Sequence, residues 1–98
     1  SKISADVSKT SVRNPRDAIT LNRILNDYER LSIGVNLGIY HLKALNRVCG
    51  KVLLRNYARY SEYIEYRRKI AKSPNAWSEF ELLAEKLKKL RKKGLRRL

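Results

Sequence analysis

The chain is poor in the residues that build disulfides, metal sites and catalytic centres. Cys49 is the only cysteine and His41 the only histidine among 98 residues. A single cysteine excludes an intramolecular disulfide and a cysteine-rich zinc site, and it fits a reducing, intracellular setting such as cytoplasm, nucleoid or nucleus. Neither residue has a partner at catalytic or metal-ligand spacing. We therefore expect no enzymatic activity, no metal and no cofactor.

The sequence also lacks long apolar runs and the alternating pattern of β-strands. No apolar run is long enough to predict a membrane-spanning helix or a secretion signal. No internal repeat or hairpin dipeptide is present, and the only two prolines, Pro15 and Pro74, fall where helices should begin or end. These absences favour an all-α fold. Because the chain has no initiator Met, it is compatible with a fragment of a longer protein.

Acidic residues are scarce, and they are scarcest in the second half. The chain carries 23 Lys and Arg against 9 Asp and Glu, a net charge of +14. Residues 1–40 contain six cations and four anions, whereas residues 41–98 contain seventeen and five. A positive field of this size favours polyanions as partners, with nucleic acid ahead of anionic membrane.

The first predicted helix follows an N-terminal arm without periodicity at residues 1–13. Asn14 is a suitable N-cap, Pro15 suits the first helical position, and Asp17 complements the helix dipole. The apolar residues of this segment fall on one face of a helix over residues 15–31. They are Ala18, Leu21, Ile24, Leu25, Tyr28 and Leu31. Residues 32–36 interrupt the pattern, and they predict a turn or a helix cap.

A long central helix is predicted from Asn36 to about Lys72. Its apolar residues keep one direction across Gly50, which indicates one continuous or gently kinked helix, with a break at Gly50 as the alternative. They are Leu42, Leu45, Cys49, Val52, Leu53, Tyr60, Tyr63 and Ile64. Asn56 and Arg67 lie inside this apolar sector. We therefore expect that these two side chains are solvated, that they pair across an interface, or that the helix bends out of register there.

The third helix is capped either by Ser73 before Pro74 or by Ser78 in a capping box with Glu81, and it stops at Gly94. The prediction is thus a three-helix bundle, or four helices if the chain breaks at Gly50, with a long central helix. The helical domain covers residues 14–94 and a basic tail residues 95–98. Because two shorter helices cannot cover all the apolar surface of a long one, we expect self-association or a place in a larger assembly.

The main functional clue is a row of cations on the long helix, which we call the basic ridge. Its members recur every four residues: Lys43, Arg47, Lys51, Arg55 and Arg59. On an α-helix they form a row about 24 Å long that winds through about 160°, and each could neutralise one phosphate. The alternatives are a solvated helix face and partial burial against another chain.

Two further features accompany the ridge. Tyrosines recur every three residues from Tyr57 to Tyr66; Tyr60 and Tyr63 belong to the predicted core, and Tyr66 is the candidate for contact with a base. The C-terminal run places eight cations in twelve residues without an anion. It consists of Lys86, Lys88, Lys89, Arg91, Lys92, Lys93, Arg96 and Arg97. Such runs are typical of nucleic-acid-binding tails, nuclear targeting signals and helix ends on anionic lipid.

These patterns predict a small basic helical protein that holds backbone phosphates of DNA or RNA in an architectural or accessory role. DNA is slightly favoured, because the ridge is continuous and no aromatic platform is evident. The alternative is a structural RNA-binding subunit of a larger ribonucleoprotein. A cationic protein at a membrane surface is the least favoured of the three.

Overall fold

The computed structural model describes residues 15–97, and the side chains of residues 16–94. The predicted N-terminal arm, residues 1–13, lies outside this part. Helix α1 covers Pro15–Asn36, the one-turn helix α2 Leu42–Leu45, α3 Lys51–Ile70 and α4 Ser78–Arg97. The described residues contain three long helices and no strand, so the predicted all-α bundle is confirmed.

Helix α1 is longer than predicted, because the segment from Ser32 to Asn36 remains helical. Ser32 is buried and donates a hydrogen bond from Oγ to the carbonyl of Tyr28, which lets a polar residue sit inside the helix. The turn comes at Gly38, whose φ is 81°. The amides of Gly38 and Ile39 bond back to Val35 and Gly34, a Schellman ending that requires a left-handed residue. The predicted turn was therefore placed too early.

The long central segment begins at Leu42 and not at Asn36. The side chain of His41 caps it by accepting a hydrogen bond from the Ala44 amide. After one turn the chain forms a π-helical turn over Asn46–Gly50, with Cys49 at a non-helical φ of −148°. The predicted continuous or gently kinked helix is thus found in its kinked form, and the irregular residue is Cys49, next to the Gly50 at which the alternative placed a break.

Helix α4 begins at Ser78, as one of the two alternatives predicted, but without the capping box. Glu29 of α1 accepts hydrogen bonds from the amides of Glu79 and Phe80 at 3.2 and 2.8 Å. Glu81 instead pairs with Arg68 of α3. Gly94 does not end the helix, which continues to Arg97. Glycine keeps its backbone N–H and C=O groups, so the hydrogen bonds of the helix can continue through Gly94. The low helix propensity of glycine costs about 1 kcal/mol, which is too little to end the helix.

The three long helices pack around one apolar core. Their buried apolar residues are Leu21, Leu25, Val35, Leu53, Tyr60, Tyr63, Ile64, Phe80, Leu83, Ala84 and Leu87. The rings of Tyr28 and Phe80 stack with centroids 4.7 Å apart, and Tyr57 meets Phe80 edge-on. Val52 was predicted in the core but is 48% exposed, since it lies at the edge of the apolar sector just after the π turn.

Candidate nucleic-acid interface

The orientation of the helices brings two distant basic segments to one end of the bundle. Asn46 contacts Arg91, whereas Arg68, near the other end of α3, contacts Glu81 near the start of α4. Helices α3 and α4 are therefore antiparallel. Residues 37–61 and residues 86–98 contain no Asp or Glu. The acid-free first half of the long central segment consequently lies beside the acid-free second half of α4, and we call this the basic end.

A groove between these segments is lined by cations from both. It has a volume of about 410 Å³, and its lining includes Lys43 and Arg47 from the start of the long segment and Lys93 from α4. We call it the basic groove. Asn46, Leu90 and Gly94 complete its walls. Because Gly94 carries no side chain, the backbone of α4 borders the groove at that point.

All five members of the basic ridge are exposed. None of them forms a hydrogen bond or ion pair with another residue of the described part of the chain. The basic ridge ends at Arg59, after which Glu62 and Glu65 occupy the exposed side of α3. The ridge therefore presents uncompensated positive charge from the basic groove to about the middle of α3.

The π turn lies within the first part of the ridge, between Lys43 and Lys51. Exposed pairs recur every four residues, at Lys43–Ala44, Arg47–Val48 and Lys51–Val52. A regular α-helix would rotate these pairs by about 40° each time, whereas a π turn holds more residues per turn. The irregular backbone at Cys49 therefore alters the predicted winding of the stripe between Arg47 and Lys51.

The C-terminal run divides into exposed and tethered cations. Lys88, Lys89, Lys92 and Lys93 are exposed. Arg91 is half-buried and donates to Asn46, and Lys86 donates to Oδ1 of Asn36 at 3.0 Å. The side chains of Arg96 and Arg97 lie outside the described residues, so their predicted contact stays a prediction. The tethered pair fixes α4 against the other helices, and the four exposed lysines are available to a ligand.

The tyrosine series does not form a stacking platform in the described structure. Tyr60 and Tyr63 are buried, as predicted, and Tyr57 packs on Phe80. Tyr66 is half-buried and lies seven residues beyond Arg59, about 10 Å further along α3. It is therefore remote from the basic groove, although it borders the exposed face of α3.

A set of asparagines joins the helices. Asn22 accepts from the Tyr63 hydroxyl at 2.7 Å, and Asn26 accepts from the Trp77 indole at 2.9 Å. Asn36 and Asn46 contact α4, and Asn56 donates to the Tyr28 hydroxyl. Of the readings open for Asn56, pairing across an interface is the one found. The sequence signal for such contacts was an asparagine inside a predicted helix, at the border of the apolar face.

The chain belongs to the family described as Domain of unknown function (DUF4760), whose model matches residues 1–87. No match was found among curated proteins or solved structures. The matched residues include the whole basic ridge, whereas Lys88–Lys93 lie beyond them. Over residues 15–97 no helix is long and apolar enough to cross a membrane. In the same part, no three His, Cys, Asp or Glu side chains are grouped as metal ligands would be.

Proposed function

We propose that this protein binds nucleic acid through its basic end, holding backbone phosphates in an architectural or accessory role without catalysis. The observation that carries the proposal is the antiparallel packing of α3 and α4. That packing places Lys43, Arg47 and Lys93 around one groove, with no acidic residue in either segment. Like charges repel, so their apposition costs free energy unless an anion neutralises them.

Phosphate is the anion that this arrangement suits best. The exposed cations continue from the basic groove along α3 as the basic ridge, so a strand seated in the groove meets further charges on its way. Lysine dominates the C-terminal side, and lysine acts on phosphate as a point charge without reading bases. We therefore expect binding with little sequence preference, driven mainly by release of condensed counterions. DNA remains slightly favoured over RNA, because the tyrosines form no platform for unstacked bases.

A second candidate, binding to an anionic membrane surface, is favoured by one specific observation. Leu37 and Ile39 are each 71% exposed and Val48 is 84% exposed, and these side chains lie close in sequence to Lys43 and Arg47. Apolar side chains beside a cluster of cations are typical of peripheral membrane binding. Phosphate contact alone does not explain these exposed apolar residues.

The experiment is a salt titration with duplex DNA, single-stranded DNA and RNA of equal length. Binding through four to six phosphates predicts a logarithmic salt slope of about −4 to −5 on duplex DNA. Duplex DNA should bind most tightly and scrambled sequences equally well. Weak binding to all three nucleic acids at about 50 mM salt would contradict the proposal, since that is where phosphate contacts are strongest.

A vesicle arm separates the two candidates. The substitution pair Leu37→Asn and Ile39→Asn removes apolar surface but leaves every cation in place. If the membrane is the partner, these changes reduce binding to anionic vesicles strongly. If nucleic acid is the partner, they leave the nucleic-acid affinity unchanged, and the wild-type protein does not sediment with vesicles.

A further inference from the structure

A second groove lies at the other end of the bundle, away from the basic end. It has a volume of about 370 Å³ and runs between α1, the last turn of α3 and the connection to α4. Its polar lining comes from Asn22, Asn26, Glu29, Arg67 and Ser73, and Trp77 supplies an aromatic wall. We call it the Arg67 groove.

The hydrogen-bond acceptors around this groove are engaged within the protein. Asn22 Oδ1 accepts from Tyr63 and Asn26 Oδ1 from Trp77. The Glu29 carboxylate accepts from two backbone amides at the start of α4, where the helix dipole further compensates its charge. The groove therefore has little acceptor capacity left for a ligand that donates hydrogen bonds.

Three donor groups of the lining, in contrast, have no acceptor among the described residues: the side-chain amides of Asn22 and Asn26 and the guanidinium of Arg67. Because only the oxygens of these two asparagines are engaged, by Tyr63 and Trp77, the amide groups of Asn22 and Asn26 keep both N–H bonds available among the described residues. The Arg67 guanidinium is half-buried and makes no hydrogen bond or ion pair with any side chain of residues 16–94. Since a half-buried arginine normally finds a partner, an unpaired one in a groove indicates a site for an acceptor-rich anion.

The backbone at the rim is held in an unusual conformation. Lys72 and Trp77 have φ of 52° and 56°, a left-handed region that side chains other than Gly, Asn and Asp rarely adopt. Arg68 fixes the segment by donating from Nε to the Ala76 carbonyl at 2.9 Å, and the indole–Asn26 bond fixes Trp77. Such conformations persist where surrounding contacts enforce them, and they cluster at ligand sites. The groove wall is thus formed in advance of any ligand.

We propose that the Arg67 groove binds a carboxylate, with the guanidinium of Arg67 donating to both oxygens and the amides of Asn22 and Asn26 adding further donors. Arginine pairs with carboxylate through two parallel hydrogen bonds, a geometry for which its planar fork is suited. Trp77 offers an apolar wall to the carbon atoms next to the carboxylate. The volume accommodates an acidic side chain of a peptide or a small dicarboxylic acid, and both present the same chemistry.

The site is independent of the proposed nucleic-acid binding. None of its lining residues belongs to the basic ridge or to the C-terminal run. Failure of one proposal therefore leaves the other standing.

Nitrogen-15 NMR of the full chain tests the site directly. Titration with succinate should shift the side-chain amides of Asn22 and Asn26, the Trp77 indole and the Arg67 Nε–H, with saturation in the millimolar range. A blocked peptide containing one Glu, compared with its Gln counterpart, distinguishes a protein source of the carboxylate from a small acid. Succinate binding with no difference between the two peptides assigns the site to small acids, and a preference for the Glu peptide assigns it to an acidic segment.

Arg67→Gln removes the guanidinium fork and should weaken succinate binding at least tenfold. Arg59→Gln is the matched control, because Arg59 lies on the same helix outside the groove. Unchanged affinity in Arg67→Gln, with a native spectrum, would overturn the proposal. Tighter binding of inorganic phosphate than of succinate would also overturn the carboxylate assignment. Should Arg67→Gln fail to fold, Asn26→Asp provides a second variant, since it puts a negative charge at an exposed edge of the groove and should likewise weaken succinate binding at least tenfold.

Discussion

Arg91 of α4 donates a 3.0 Å hydrogen bond from its Nη1 atom to the Oδ1 atom of Asn46 in the π turn. This bond joins the two acid-free segments at the basic end. Gly50, the last residue of the π turn, is buried against the same asparagine, and a Cβ at Gly50 would overlap Asn46 Oδ1. The absence of a side chain at Gly50 therefore lets Asn46 face Arg91.

A double-mutant cycle at Gly50 and Asn46 tests this arrangement. Gly50 has helical φ and ψ, so alanine is sterically acceptable to the backbone and its better helix propensity favours it by up to about 1 kcal/mol. In the wild type that gain should be cancelled by displacement of Asn46, leaving Gly50→Ala neutral or destabilising. In the Asn46→Ala background the overlap is gone, and Gly50→Ala should then be stabilising. Urea unfolding measures the stability change of Gly50→Ala in both backgrounds. If the effects of the two substitutions add within about 0.3 kcal/mol, the contact between Gly50 and Asn46 is contradicted.

Charge reversal tests whether the two segments act together on nucleic acid. Arg47→Glu with Lys93→Glu changes both sides of the basic groove. The affinity for duplex DNA should fall, and the logarithmic salt slope should decrease in magnitude by about 2, one for each lost phosphate contact. Fluorescence anisotropy over a range of salt concentrations measures both quantities.

Arg23→Glu with Lys69→Glu is the matched control for this pair. Both residues are exposed and lie outside the basic groove, and the control changes the net charge by the same amount. If the net positive charge of the whole protein, and not the basic groove, were responsible for binding DNA, the two double variants would lose affinity equally. A specific basic groove instead requires that the control keep most of its affinity and its salt slope.

Glu29 connects α1 to the start of α4, and its removal should cost stability. Glu29→Ala leaves the Glu79 and Phe80 amides without their partner, with an expected loss of about 1–2 kcal/mol. Asp27→Ala on the same helix is the control, because its ion pair with Arg30 is solvent-exposed and contributes about 0.5 kcal/mol or less. Equal losses in the two variants would show that Glu29 is not a cap.

Helical periodicity was sufficient to predict which face of each helix is buried, but not which side chains connect one helix to another. The spacing of Leu21, Tyr63 and Leu83 follows from the 3.6-residue turn, so the buried side of each helix was predictable. The cap on α4 was not, because Glu29 is about fifty residues away in sequence and the local Ser78–Glu81 pair was an equally good pattern. Local propensity cannot rank a local cap against a tertiary one.

The candidate nucleic-acid interface likewise has one part that could be predicted from the sequence and one part that could not. The exposure of Lys43 to Arg59 could be predicted from their position opposite the apolar face. The approach of Lys43 and Arg47 to Lys93 could not, because it depends on how α4 is oriented and on the π turn at Cys49. A π turn has no sequence signature comparable with a cap or a proline, so the sequence indicated only a continuous or gently kinked helix or a break at Gly50.

Tyr63 predicts how stability changes at alkaline pH. Burial raises the pKa of the Tyr63 hydroxyl above 10.0, with nearby Arg67 opposing the shift. The unfolded chain therefore releases this proton at a lower pH than the folded chain does. The contribution of Tyr63 is fully present below about pH 10 and is lost as the pH rises through the folded pKa. Burial also raises the pKa of Tyr57, so both side chains contribute to the alkaline loss.

Tyr63→Phe isolates one of these contributions. At neutral pH it should cost about 1 kcal/mol, because the 2.7 Å hydrogen bond to Asn22 is lost. Above about pH 10 the wild type loses the Tyr63 contribution while the variant does not, so the difference in unfolding free energy should shrink as pH increases. Urea unfolding at several pH values measures the difference. Tyr66→Phe, whose hydroxyl makes no hydrogen bond within the described residues, should stay close to the wild type at neutral pH. A wild-type to Tyr63→Phe difference that stays constant up to about pH 11.5 would contradict the raised pKa.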